Sequence, residues 1–347
     1  MQKKNKWGIP VIGVVVAVLI AAGVYSMLRP PATRPGPDMP GPVPSQEAPA
    51  QEVPAPNLIQ PIPGVAPFDT NKYKTEPVVR VWISDKDYVE SITLERYLEG
   101  VIAREMNPNW PMEALTAQAI ASRTLTISAI EAGTIRRLRN ADVSTAKEEL
   151  QAYAPELVND NVREAVRRTR GQVLLYAGGL VNAIYSSSNG QIGATKEESF
   201  PTEIAHPTPY FQPVTDTCFE YAPENIQTWM TKIPAAEVAA AIGYGGNPAD
   251  ITILEKGPSG RILYIGAGDK KMYGSDFRRS VGYDRLKSTL ITEMNYDGKS
   301  FTFKGMGWGN GVGLCQWGAY TFAQQGLKAE DIIKKYYIGV EIKKLWE

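Results

Sequence analysis

The chain has 347 residues, a formal net charge of zero and a pI near 6.7. That length allows one large domain or two small ones, and the neutral balance removes the electrostatic reason to expect a nucleic-acid partner. A single histidine, His206, and two cysteines, Cys218 and Cys315, exclude a multi-histidine zinc centre, a zinc ribbon and a disulfide-dense scaffold. A Ser-His-Asp triad would have to use His206 in the run AHPTPY, where nothing nearby supplies a nucleophile or an orienting acid.

Taken in chain order, Lys3, Lys4 and Lys6 precede an uncharged apolar run from Ile9 to Leu28. A run of that length matches the roughly 20 residues needed to span a bilayer as a helix, and the lysines place its start in the cytoplasm. The expectation is a cytoplasmic tail (1–8), an uncleaved membrane anchor (9–28) and an extracytoplasmic remainder. A cleaved signal peptide, whose apolar region is about 7–15 residues, is the alternative and leaves the remainder on the same side. Half of the 26 prolines lie between Pro30 and Pro67, so residues 29–74 read as an extended polyproline-type linker.

The folded part is expected from residue 75 to 347. PVVRVWI (Pro77–Ile83) alternates and is β-branched, which predicts a strand. Helices are predicted over Leu94–Met106, Met112–Ala132 and Asp160–Arg170. Gln172–Ser186 reads as two strands around a Gly-Gly turn. A short helix follows at Pro234–Ile242, then a second hairpin in DITILEKGPSGRILYIGAG. After SFTFKG comes GMGWGNGVGLCQWGAY, a helix over Ala319–Gln325 closed by Gly326, a helix over Glu330–Tyr336 and a last strand. Helices and hairpins come in blocks without βαβ alternation, which predicts an α+β fold.

One residue interrupts the expected pattern. On a helix, Leu94, Leu98, Val101 and Glu105 fall along one stripe, with Glu105 only about 20° off the line of Leu94. A carboxyl thus occupies a place where leucine is expected, just before Pro108 and Pro111 stop the helix. Burial there would raise its pKa and suit a general acid. An arginine partner, Arg104 or Arg123, or exposure at the helix end would make it structural instead. The next helix is alanine-rich, and Gln118 and Arg123 interrupt its apolar faces, either as structural hydrogen-bonders or as contacts to a substrate.

TLERYLEGVIAREMNPNWPMEALTAQAIASRT resembles the signature of the SpoIID/LytB domain family. REAVRRTRGQVLLYAGGLVNAIYSSSNG, PTPYFQPV, SGRILYI, GSDFRRSVG and GMGWGNGVGLCQWGAYTFAQQGLKAEDIIKKYYIGVEI follow in the same order. The likeness covers Pro77 to the C-terminus, and the anchor and linker resemble the sporulation members. It implies a single α+β ectodomain that works on peptidoglycan without a cofactor. Sporulation members are lytic transglycosylases, acting on glycan strands stripped of stem peptides by an amidase partner, SpoIIP, alongside the membrane protein SpoIIM. The family's catalytic glutamate falls on Glu105. Ser187 and Gly190 match the family's serine-rich loop, Tyr210 its PYL run, and Gln316 the glutamine after the glycine stretch, so all four are candidate substrate contacts.

The chain also departs from the family. Asn310 and Ser186 stand where relatives often carry histidine, and Ser188 where some carry a cysteine, so no metal is expected by likeness. Cys218 and Cys315 are left as a disulfide, as two free thiols, or as a metal site completed by His206. LytB-type relatives, described as amidase enhancers, imply an alternative in which the groove holds glycan or a partner hydrolase without cutting.

Overall fold

The computed structural model of the chain describes residues 60–202, 206–218 and 221–347. The expected tail, the anchor at 9–28 and most of the linker lie outside the described residues. Among the described residues no helix is long and apolar enough to cross a membrane. Ordered packing begins ahead of Thr75: the Phe68 N–H bonds to the Gly178 carbonyl, and Tyr73 is buried in the main core with its hydroxyl on Glu131.

Strand β1 (Val78–Ile83) pairs antiparallel with β2 (Tyr88–Thr93), and α1 (Leu94–Glu105) follows directly. The Glu76 carboxylate accepts the Glu95 N–H, placing an anion at the positive end of that helix. Turn Asn107–Pro111 leads to α2 (Met112–Ala132), closed by Gly133 in the left-handed conformation. Alanines allow close approach on every side, so α2 is the central post, touching α1 and β4 among others. Short α3 (Thr134–Leu138) leads to β3 (Val143–Ser144), which pairs parallel with β1. Helix α4 (Asp160–Arg168) is capped by the Asn159 side chain on the Val162 N–H. Strand β4 (Gln172–Tyr176) turns through Gly178 into β5 (Gly179–Leu180) as expected, but the chain then leaves the hairpin and β6 (Tyr185–Ser186) pairs elsewhere.

A single-turn helix, α5 (Lys196–Ser199), precedes a segment with its own apolar core. It contains α6 (Glu224–Gln227), β7 (Thr228–Pro234) and α7 (Ala235–Ile242). Next come β8 (Thr252–Lys256), β9 (Ile262–Ala267), β10 (Lys270–Tyr273) and α8 (Gly274–Val281), and then β11 (Ile291–Tyr296) and β12 (Ser300–Met306). Two antiparallel three-stranded sheets, ordered β10-β9-β8 and β11-β12-β7, close over Ile233, Ile262, Ile265, Phe277, Phe301 and Phe303. The chain then returns to the first core through β13 (Leu314–Cys315), parallel to β6, and α9 (Gln316–Gln324). Helix α10 (Ala329–Tyr336) and β14 (Glu341–Lys344), antiparallel to β4, complete it. The α+β reading holds, with two apolar cores among the described residues.

The glycine stretch is the return path. Gly307, Gly309, Gly311 and Gly313 all have positive φ. Trp308 exchanges both backbone hydrogen bonds with Ser188, the Gly307 N–H reaches Ile226 and the Gly309 N–H reaches Lys287. At Gly309, φ is +121°, and a Cβ built there would overlap the Ser186 hydroxyl. Gly309→Ala is therefore expected to cost about 1–3 kcal/mol, read as a lower denaturant midpoint.

Candidate active site

Helix α1 carries the expected stripe: Leu94, Leu98 and Val101 are fully buried, and Glu105 ends it half-buried. Met106 leaves helical geometry at φ −124°, ψ 160°, so Glu105 is the last helical residue. One carboxylate oxygen, Oε1, accepts the Ala152 N–H at 2.8 Å, and the other, Oε2, accepts Gln316 Nε2 at 3.3 Å. The loop carrying Ala152 is held to α1 by the Ala154 N–H on the Gly100 carbonyl and by Tyr153 stacked on Tyr97. Gly100 is required there, because a Cβ would overlap the Tyr153 ring.

Burial pushes the Glu105 carboxyl above its ordinary value. The hydrogen bonds from Ala152, Gln316 and Tyr185 and the Arg104 charge all oppose that shift without cancelling it. Tyr185 also donates to Gln151 Oε1 at 3.0 Å, which ties this hydroxyl to the loop next to Ala152. The result is a carboxyl of raised proton affinity with only neutral donors bonded to its oxygens, still open to solvent on one side.

Gln316 is the first residue of α9, which begins three residues earlier than expected. Its neighbour Trp317 donates its N–H to the Ser187 carbonyl at 3.1 Å. Trp317, Trp110 and Tyr320 form a tilted cluster with ring centroids 4.6 Å, 5.1 Å and 5.5 Å apart, and Tyr221 extends it towards solvent. Trp110 follows Glu105 in the inter-helix turn and Trp317 follows Gln316, so both polar groups have an aromatic wall beside them in sequence. That adjacency was the available signal for the wall; nothing in the sequence marked Tyr185 or Ala152.

The other expected contacts fall elsewhere. Arg123 is fully buried, with its guanidinium on the Glu95 carboxylate at 2.7 Å and on Thr169 and backbone carbonyls. Gln118 is fully buried and donates to Ser122 Oγ at 3.0 Å. Neither side chain presents a surface to a glycan. Ser187 is half-buried beside α9, and Gly190, at φ +70°, lies against Leu290. Tyr210 is buried in the first core, its hydroxyl accepting the Asn182 N–H and its ring against Tyr176 and Phe211. Of the expected residues, the structure bonds only Gln316 directly to Glu105.

Glu95 lies off the Leu94–Leu98–Val101 stripe, yet it is buried. Its carboxylate also receives the Gly171 N–H and Trp346 Nε1, because α1 is covered on a second side by chain from far along the sequence. Asn310 makes a local turn: Oδ1 accepts the Val312 N–H, and Nδ2 donates to the Tyr185 carbonyl at 3.2 Å. His206 lies against Gly64 and lines a cavity with Tyr176 and Tyr210.

An α+β domain with a desolvated carboxylate, held by a backbone amide and by a glutamine whose next residue joins the tryptophan cluster, defines the site. Residues 84–176, which include Glu105 and Ala152, match the SpoIID family model, described as stage II sporulation protein. The chain is 30% identical to stage II sporulation protein D of Bacillus amyloliquefaciens over 78% of its own length and 80% of the relative's. It is equally similar to the protein of that name from Bacillus subtilis, with the same coverage. The amidase enhancer of Bacillus subtilis is 28% identical over 71% of this chain, which spans 40% of that longer relative. The chain belongs to the SpoIID family.

Proposed function

We propose that the chain is a membrane-tethered lytic transglycosylase that cleaves the bond between N-acetylmuramic acid and N-acetylglucosamine in peptidoglycan. The observation that carries this reading is the half-buried carboxyl of Glu105, its proton affinity raised by burial and its oxygens held by Ala152 and Gln316. A pair of carboxylates is the usual glycosidase arrangement; one suffices if the substrate supplies the nucleophile. Glu105 gives its proton to the glycosidic oxygen as that oxygen leaves the muramoyl C1. The muramoyl C6 hydroxyl attacks C1, and its proton passes to the Glu105 carboxylate. A 1,6-anhydro ring closes, the acid is regenerated and no water is consumed.

The ring faces of Trp110 and Trp317 suit the apolar face of a sugar. Trp317→Ala is expected to raise KM several-fold with kcat nearly intact, as the loss of binding shared by ground and transition states. The preferred glycan is peptide-stripped, supplied by a SpoIIP-like amidase, with a SpoIIM-like protein as membrane partner. The anchor at 9–28 would hold the site outside the cytoplasm.

The similarity to an amidase enhancer supports a second reading, a glycan-binding activator that does not cut. Mass spectrometry after incubation with defined intact and denuded glycans separates the two. Shortened strands with 1,6-anhydro ends support the transglycosylase. Unchanged glycan, with faster release of stem peptides by an added amidase, supports the activator.

A further inference from the structure

Asp216, Cys218 and Cys315 form a cluster that the proposed reaction does not use. A carboxylate oxygen and the two sulfurs lie within 4.8 Å of one another, and all three residues are buried. Both cysteines are free thiols. Asp216 Oδ1 accepts the Cys218 N–H at 2.9 Å, and Oδ2 accepts the Tyr336 hydroxyl at 3.1 Å. Neither donor is charged.

Cys315 Sγ accepts two backbone N–H groups, from Asn189 at 3.3 Å and Gly318 at 3.2 Å. Two amide donors aimed at one sulfur, at the start of helix α9, suit a thiolate that ligates a metal. Arg261, fully buried, lies within the field of all three groups, but its own hydrogen bonds go to the Ile192 and Asn189 carbonyls and to Ser259.

We propose that Asp216, Cys218 and Cys315 bind a zinc-type divalent cation, with the Ser188 hydroxyl, 3.3 Å from Cys218 Sγ, supplying the fourth donor. Tetrahedral zinc with bonds of about 2.0–2.3 Å sets its donors roughly 3.3–3.8 Å apart, within reach of this cluster by small side-chain movements. Two thiolates favour zinc over magnesium or calcium. Tyr336, bonded to the second carboxylate oxygen, fixes how Asp216 is presented. Two thiolates and a carboxylate around a divalent ion leave one negative charge, which the Arg261 guanidinium offsets. The ion would staple the serine-rich loop to Cys315, the residue before Gln316, and so act on the site by holding its glutamine in place.

The test uses the full chain, purified under reducing conditions and exposed to zinc or cobalt(II) alone. The expected result is one zinc retained per chain after dialysis, a thiolate-to-cobalt charge-transfer band with tetrahedral cobalt absorption, and a higher melting temperature with zinc. Cys218→Ser and Asp216→Asn are each expected to weaken zinc affinity more than tenfold and to reduce the cobalt band. Folded wild-type protein that retains no zinc and gives no cobalt–sulfur band overturns the proposal. So does recovery of the two cysteines as a disulfide with the same melting temperature with and without zinc. The wild-type measurements decide the matter even if a variant fails to fold.

Discussion

Glu105→Gln is expected to reduce glycan cleavage by about 10²–10⁴-fold while raising melting temperature at neutral pH. Glutamine keeps an oxygen for the Ala152 N–H but has no proton to give, so chemistry goes and the fold stays. Stability moves the other way because the Glu105 carboxyl titrates higher in the folded protein than in the unfolded chain. Between those two values the folded state binds more protons, so stability falls as pH rises through the window. At neutral pH a carboxylate in this setting costs stability, and glutamine removes the cost. Thermal melts of both proteins across pH should show the difference shrinking towards zero in acid, below the ordinary carboxyl range. Cleavage by wild type should fall as pH climbs through the elevated value. Undiminished release of 1,6-anhydro products by the glutamine variant would remove Glu105 from the reaction.

The second large effect is structural. Arg123→Ala should destabilise the protein by about 3–5 kcal/mol, because it strands the buried Glu95 carboxylate without its cation. That corresponds to a fall in melting temperature on the order of 10 °C. The double variant Glu95→Leu/Arg123→Met should recover much of the loss, since an apolar pair of similar volume leaves no buried charge. A variant that melts like wild type but binds glycan weakly would instead return Arg123 to the substrate-contact role its sequence context suggested.

Glu105 was legible because one polar residue broke an otherwise apolar stripe, and helix geometry alone identifies such a break. Helix α2 was legible to the residue, bounded by Pro111 and Gly133. The Glu95–Arg123 pair was hidden because one apolar stripe marks one buried face, whereas α1 is covered on two. Strand β2 was missed because its side chains are largely exposed and charged, with no apolar alternation to detect. The wider site depends on tertiary pairing: Ala152 contributes a backbone N–H, which has no residue type to recognise, and Tyr185 is placed by β6 joining β13. Asn310 stood out as a departure from histidine, and its amide serves a turn and the Tyr185 carbonyl instead.

The acid and its glutamine are 211 positions apart, and the buried Glu95 waits for Trp346, 251 positions on. The first core therefore closes around a segment that has a core of its own, and it closes from both sides. During synthesis, residues 224–306 can collapse on contacts they already contain, while Glu105 stays without Gln316 until the chain has passed the glycine stretch. Contacts of such long separation form late. A chain interrupted anywhere before α9 has Glu105 but lacks Gln316, so the pair is assembled only after the glycine stretch has been made.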